Sequence, residues 1–272
     1  MKRLVCRLLL FLALAVVSAR AMSATGDGWW LLLPRLEAGR MVYYRVAVDG
    51  TEVAPPHGDA RRRVPAMNQR DFPAPESGCG PTAALNWLLW MENEGLFGRR
   101  PSRTITPERA RSLFHRIDRE ILTLSANGSR GARGGSSMAE LAVTMDRLVD
   151  ERSEGALRLH FAHFEPPLRV VDLLEFTRGM RSGILLTRVV NDRQTLVAGE
   201  YHAVSLVAGD RAGGLMVNNW GARVYGHLRT LPEGQFFFPQ DSSQEALRIE
   251  GALCFVPLRL AGPAPKLPPP GE

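Results

Sequence analysis

A cysteine between two glycines, at the start of an apolar run, is the residue of this chain best suited to nucleophilic chemistry. Cys79 lies between Gly78 and Gly80, and Pro81 precedes the apolar residues 82–90. Proline suits the first turn of a helix, so the sequence predicts a helix that begins at Cys79. The positive end of the helix dipole would favour the thiolate, which is the form of cysteine that attacks acyl groups.

A base for this thiol is predicted on a β-hairpin further along the chain. Two apolar segments, residues 201–207 and 215–221, flank a glycine-rich turn. If His202 and Asn218 face each other across this hairpin, their side chains project to the same side, with Cβ atoms about 5 Å apart. We expect His202 to take the proton of Cys79 while Asn218 holds the imidazole in one orientation, as in a catalytic triad.

The motifs that carry these residues resemble those of the papain-like cysteine peptidases. Cys79-Gly80-Pro81 is most similar to the branch related to the peptidases that cleave bacteriocin leaders. Asn218-Asn219-Trp220-Gly221 is similar to the Asn-x-Trp-Gly segment of papain itself. The resemblance runs in chain order over roughly residues 64–258. It implies a papain-like fold, in which a helix that starts with the nucleophile packs on an antiparallel sheet carrying His and Asn.

The resemblance also implies a role for each residue of the site. Asn218 would orient His202, and Trp220 would shield their hydrogen bond from water. An upstream glutamine, matched here by Gln69, would form the oxyanion hole together with the backbone N–H of Cys79. The segment between Gln69 and Cys79 looks like an inserted loop. These residues predict an enzyme in which Cys79 forms a thioester with its substrate.

Each of these residues also has a purely structural interpretation. A buried cysteine can pack as a small hydrophobic group, and a histidine on an apolar strand can be a hydrogen-bonded core residue. The two asparagines before Trp220 could simply end a strand in a turn. Cys79 and Cys254 could also form a disulfide in an exported protein. The order of the motifs favours the catalytic interpretation, with Cys79 reactive and Cys254 inert in a late, buried strand.

Hydrophobic periodicity and turn signals predict an α+β fold, with helices first and an antiparallel sheet last. The sequence predicts helices over residues 79–93, 107–124 (with Thr106 as N-cap), 137–149 and 168–180, and strands over residues 157–164 and 184–190. The catalytic hairpin and two or three further strands are expected to follow. Near the N-terminus, Asp49-Gly50 predicts a hairpin turn within residues 40–53.

Residues 1–21 have the features of a secretory signal peptide, with basic residues before an apolar run and small residues at the end. Cleavage is predicted after residue 21, or alternatively after residue 24, which would place the protein in the periplasm or outside the cell. The apolar run is shorter than the ~20 residues that span a bilayer, so we expect no stable membrane insertion after cleavage. Residues 22–60 are interpreted as a β-rich extension and linker, residues 61–260 as the catalytic domain, and residues 261–272 as a disordered proline-rich tail.

Composition narrows the range of partners. The 272 residues, of which 45% are hydrophobic, suit one sizeable core. The net charge of +6 falls to about +2 without the leader, which holds four basic residues and no acid. That charge is too small to predict nucleic-acid binding. His160 and His163 lie three residues apart on a predicted strand and point to opposite faces, so neither a metal nor a cofactor is expected.

The sequence therefore predicts an exported cysteine hydrolase that acts on amide bonds of a peptide or protein substrate. Cys79, His202 and Asn218 would form its triad. Two alternatives stay open at this point. The same residues could serve a peptidoglycan amidase or an acyl or glutamyl transferase, and a catalytically silent domain of this fold could bind peptides without turnover. Peptide libraries, purified cell wall and the thiol pKa would distinguish these possibilities.

Overall fold

A computed structural model describes nine ranges of the chain. These are residues 29–37, 40–48, 50–52, 64–72, 78–97, 105–124, 136–177, 183–210 and 212–263. The predicted signal peptide lies outside the described residues, as does the tail from residue 264 onward. Within the described ranges, no helix is both long enough and apolar enough to cross a membrane.

The described residues form four α-helices and ten β-strands. The helices are α1 (Cys79–Asn93), α2 (Pro107–Leu124), α3 (Met138–Arg152) and α4 (Val170–Thr177). The strands are β1 (Trp29–Glu37), β2 (Arg40–Val48), β3 (Gly50–Glu52), β4 (Leu157–Phe164), β5 (Gly183–Asp192), β6 (Val197–Gly209), β7 (Gly214–Asn219), β8 (Ala222–Leu231), β9 (Gly234–Pro239) and β10 (Leu247–Leu260). Because most helices precede most strands, the predicted α+β class is confirmed.

Eight of the strands form one antiparallel sheet, in the order β3-β10-β5-β6-β7-β8-β9, with β4 also pairing with β10. The start of β10 pairs with both β5 and β9. This double pairing curls the sheet back on itself at that end. The strands β1 and β2 form a separate antiparallel hairpin. The sheet brings β6 and β7 to its middle, where a helix can cover them.

The helix α1 is buried on nearly all sides, and its burial explains its apolar sequence. One apolar cluster packs α1, α2 and α3 on one face of the sheet, and a second cluster packs α4 on the other face. The indole of Trp87 lies in the first cluster, and its Nε1–H donates to the carbonyl oxygen of Gly183 at 2.8 Å. This bond ties the middle of α1 to the start of β5. The helix α1, which begins with Cys79, is therefore held against the sheet.

The predicted bounds of the first two helices are confirmed. The third helix begins after Ser137, whose side chain forms a capping box with Glu140, and continues three residues beyond the predicted end at residue 149. The fourth helix starts two residues later than predicted, at Val170. Its predicted end lies outside the described residues, which break off between 177 and 183.

The predicted hairpin turn at Asp49-Gly50 is wrong. The strand before it, β2, pairs instead with β1, and the strand after it, β3, pairs with residues 258–260 at the end of β10. An Asp-Gly pair is a local turn signal, but the pairing partner of each strand is chosen by contacts with distant parts of the chain. Here β3 pairs with the edge of the large sheet, so β2 and β3 belong to different sheets.

Candidate active site

Cys79 is the first residue of α1, and its thiol is nearly buried, with the residue 8% exposed. The first turn of this helix contains no acidic side chain and its N-cap, Gly78, supplies no side-chain hydrogen bond. The positive end of the helix dipole is therefore not neutralised by the helix's own side chains and favours a thiolate. The following glycine is required by space, because a Cβ at Gly80 would lie 2.9 Å from Oγ of Ser136.

His202 lies on β6 and is hydrogen-bonded to Asn219 at the end of β7. The distance between His202 Nε2 and Asn219 Oδ1 is 2.7 Å, and the two residues are only 5% and 2% exposed. An amide oxygen only accepts hydrogen bonds, so Nε2 carries the proton. The other ring nitrogen, Nδ1, is left unprotonated and able to accept a proton. This is the tautomer that a general base needs.

Burial lowers the pKa of His202 below its usual range near 6.5. The hydrogen bond to Asn219 and the charge of Glu245 act in the opposite direction but are smaller effects. The imidazole is consequently neutral at pH 7. A neutral imidazole with Nδ1 unprotonated can remove a proton from a thiol.

The prediction that Asn218 faces His202 across the hairpin is wrong. The register pairs Asn218 with Ser205, and a bulge follows between Leu206 and Ala208. The pairing is shifted by an odd number of residues from the predicted one, and side chains alternate between faces. The shift therefore exchanges the two asparagines, and the amide that reaches the imidazole belongs to Asn219. The Nδ2 group of Asn218 donates instead to the carbonyl oxygen of Pro65 at 2.8 Å.

Trp220 covers the imidazole of His202. The two rings stack with centroids 4.6 Å apart and planes 11° apart. The indole Nε1–H donates to Oε2 of Glu245 at 3.1 Å, and the guanidinium of Arg70 lies 4.9 Å from the indole ring. Trp220 and Gly221 have φ angles of 50° and 80°, as in the two-residue turn that joins closely paired strands. This tight turn places the indole over the imidazole of His202.

Gln69 lies in the same pocket as Cys79 and His202. It begins a short 3-10 helix, Gln69–Asp71, which Asn68 caps by accepting from the backbone N–H of Arg70. Gln69 is buried, at 8% exposure. Gln69 thus lines the pocket together with Cys79, and its role in an oxyanion hole stays a prediction.

Three side chains hold the segment that leads to Gln69, which we call the strap (residues 64–68). Arg223 donates to the carbonyl oxygen of Val64 at 2.8 Å, and Asn218 donates to that of Pro65. The backbone N–H of Met67 donates to Oδ1 of Asn86 at 3.0 Å. Because each bond comes from α1 or from the sheet, the strap is positioned by the same elements that carry Cys79 and His202.

Asn86 is a part of the site that the sequence analysis missed. It lies on α1, is 2% exposed, and its Nδ2 donates to Oγ of Ser205 at 3.1 Å. Ser205 in turn donates to the backbone carbonyl of Ala83 at 3.3 Å. These bonds join α1, β6 and the strap. The available signal was a single amide within the apolar run of α1, since a polar side chain there must find partners inside the protein.

One pocket thus contains all four residues that the sequence analysis selected. Its lining includes Gln69, Cys79, His202 and Asn218, together with Trp220. Asn219 was missed as the partner of His202, although it lies in the quoted motif. No disulfide joins Cys79 to Cys254, and complete burial raises the pKa of Cys254. Among the described residues, no group of three side chains is arranged to hold a metal ion.

A scan against models of protein families finds no match for this chain. A search of curated proteins finds no match either.

Proposed function

We propose that this protein is a cysteine hydrolase with a papain-like site, exported by the leader that the sequence predicts. The observation that carries this proposal is the hydrogen bond between His202 and Asn219 in the pocket that also contains Cys79. That bond leaves Nδ1 of the imidazole as the base, in the pocket that it shares with a cysteine at a helix N-terminus. Nucleophile, base and orienting amide are the three parts that thiol acyl transfer requires.

In the proposed reaction, His202 Nδ1 takes the proton of Cys79, and the thiolate attacks the carbonyl carbon of an amide. The tetrahedral intermediate collapses to a thioester, and the imidazolium returns the proton to the departing amine. Asn219 holds the ring so that Nε2 keeps its proton throughout. Trp220 stacks on the ring and protects the bond to Asn219 from water, which keeps that bond strong.

The oxyanion of the intermediate would lie between the backbone N–H of Cys79 and the side chain of Gln69. Each such donor contributes about 3 kcal/mol to stabilisation of the transition state. The strap supports this function because its hydrogen bonds to Asn86, Asn218 and Arg223 locate Gln69 relative to α1. A peptide or protein is the proposed substrate, and the leader predicts that it is met outside the cytoplasm.

The test is the rate of Cys79 alkylation by iodoacetamide as a function of pH, measured in reduced protein without its leader. A Cys254→Ala background ensures that only Cys79 is observed, and the site of labelling is identified by mass spectrometry. We expect alkylation at pH 7 to be fast and to fall sharply in His202→Ala. An alkylation profile with the pKa near 8.5 of an ordinary cysteine, unchanged in His202→Ala, would contradict the proposal and favour a silent peptide-binding domain.

Substrate screening then separates the possible reactions. Peptide libraries and casein test for a peptidase, and purified cell wall tests for an amidase. Cys79→Ala must lose all turnover with the fold intact. Equal activity in Cys79→Ala would refute the mechanism whichever substrate is used.

A further inference from the structure

Two polar atoms in the pocket of Cys79 have no hydrogen-bonding partner within the described part of the chain. These are Oγ1 of Thr82 and Oδ1 of Asn218. The two residues are 6% and 5% exposed, and both line the pocket that contains Cys79 and His202. Burying such polar groups is unfavourable unless something binds to them. Their position therefore points to a ligand that is met during the reaction.

The orientation of the Asn218 amide defines what this ligand must be. Its Nδ2 group donates to the carbonyl oxygen of Pro65 at 2.8 Å, so Oδ1 is the end that stays available. An amide oxygen accepts hydrogen bonds only, so the ligand must donate an N–H or an O–H. Thr82 lies three residues after Cys79, on the same face of α1. Its hydroxyl can either donate or accept.

We propose that Thr82 and Asn218 form a subsite for the second nucleophile of the reaction, a water or a primary amine that resolves the thioester on Cys79. The inference rests on the proposed function, because a thioester must form before it can be resolved. Water and a primary amine share the required chemistry, since each has at least two hydrogens on the attacking atom. One hydrogen is directed to the base His202, and another to Oδ1 of Asn218.

The chemical step balances without any further reactant. His202 Nδ1 takes one proton from the nucleophile as its oxygen or nitrogen forms a bond to the acyl carbon. The bond between the acyl carbon and the sulfur of Cys79 then breaks, and the sulfur leaves as a thiolate. The imidazolium returns its proton to this thiolate. The product is a carboxylic acid when water attacks, and a new amide when an amine attacks.

The experiment uses p-nitrophenyl acetate, which acylates a reactive thiol without requiring knowledge of the natural substrate. A rapid burst of nitrophenolate measures acylation of Cys79, and the following steady rate measures deacylation. Background acylation of amines is small because Lys2 and Lys266 are the only lysines in the chain. Cys79→Ala must lose the burst, and the nitrophenolate that this variant still releases measures the background reaction. Methylamine is added in a second series as the competing nucleophile.

Two variants test the subsite, and a third serves as a control. Thr82→Val keeps the shape of the side chain and removes only the hydroxyl, and Asn218→Leu removes the acceptor. Thr123→Val makes the same substitution at an exposed position of α2, outside the pocket. We expect Thr82→Val to keep the burst and to deacylate about tenfold more slowly, the effect of losing one hydrogen bond. Asn218→Leu also loses the strap's bond to Pro65, so its burst should be slower too, and its deacylation should slow at least as much as in Thr82→Val. Thr123→Val should keep the wild-type rate of deacylation.

Each outcome decides a different question. Saturable acceleration by methylamine, lost in both variants, supports the subsite with an amine as its ligand. Slow deacylation in the variants without such acceleration in the wild type supports water. Unchanged deacylation in both folded variants overturns the subsite while the hydrolase remains. If Asn218→Leu does not fold, Thr82→Val decides alone. A wild-type protein without any burst overturns the proposed function, and the subsite with it.

Discussion

Replacing Asn219 by alanine should impair activation of Cys79 far more than replacing Asn218 by alanine. The 2.7 Å bond from His202 joins two residues that are at most 5% exposed, so water cannot take the place of the lost amide oxygen. A buried N–H left without an acceptor costs about 1–3 kcal/mol. The imidazole avoids this cost by moving its proton to Nδ1. That nitrogen is the one that must accept the proton of Cys79.

The size of the effect follows from this shift between tautomers. A change of about 1–3 kcal/mol reduces the productive tautomer by about fivefold to 150-fold, because each 1.4 kcal/mol is a factor of ten. The rate of Cys79 alkylation at pH 7 should fall by the same factor in Asn219→Ala. The other variant, Asn218→Ala, loses only the bond to Pro65, so alkylation should stay within about threefold of wild type, consistent with a loss below 1 kcal/mol.

The assay compares alkylation of the wild type and of both variants, after circular dichroism has shown that each is folded. Nitrogen NMR of the His202 ring reports the tautomer directly, with Nε2 protonated in the wild type and in Asn218→Ala. Equal losses in the two variants, or a loss in Asn218→Ala alone, would refute the assignment of Asn219 as the orienting residue.

Three further predictions concern pH, packing and the strap. Burial lowers the pKa of His202 in the folded protein, whereas its pKa in the unfolded chain is near 6.5. Below pH 6.5 the unfolded state therefore binds more protons than the folded state, and the free energy of unfolding should fall as the pH drops. Urea titrations should show a smaller fall in His202→Gln, and an equal fall would contradict the shift. Gly80→Ala should lower Tm because its Cβ would lie 2.9 Å from Oγ of Ser136, and adding Ser136→Gly should restore Tm. Failure of that second change to restore it would disprove the clash. Asn86→Leu, which removes the amide bonded to Met67 and Ser205, should slow acylation by p-nitrophenyl acetate about tenfold. Alkylation forms no oxyanion and should change little in that variant, so an equal loss in both reactions would argue against a role through Gln69.

The described pocket explains why we expect these variants to affect different steps of the proposed reaction. Asn219 contacts His202, and Asn86 holds the strap that leads to Gln69. Asn218 lines the pocket and has an acceptor oxygen without a partner among the described residues. Each amide is almost fully buried. Since water cannot replace a buried partner, the loss of one amide should affect mainly the group that it contacts.

Local signals in the sequence predicted the four helices to within a few residues, and with them four residues that line one pocket. Cys79 between glycines, followed by Pro81 and an apolar run, predicts α1 with its correct bounds, because a helix start depends on residues within one turn. Thr106 likewise marks the start of α2, where its Oγ1 accepts from the backbone N–H of Arg109 at 3.3 Å. The late strand around Cys254 is recognisable because a long apolar run must be buried.

Only the tertiary structure decided which residues meet across long distances in the chain. The amide that contacts His202 belongs to Asn219 because the bulge in the hairpin sets a register that no single residue pair specifies. An odd shift of that register turns every side chain of the strand to the opposite face of the sheet. The pairing of β3 with β10 and the bond from Met67 to Asn86 also join segments far apart in sequence. Such contacts depend on how the whole sheet packs against α1, and no short stretch of residues contains that information.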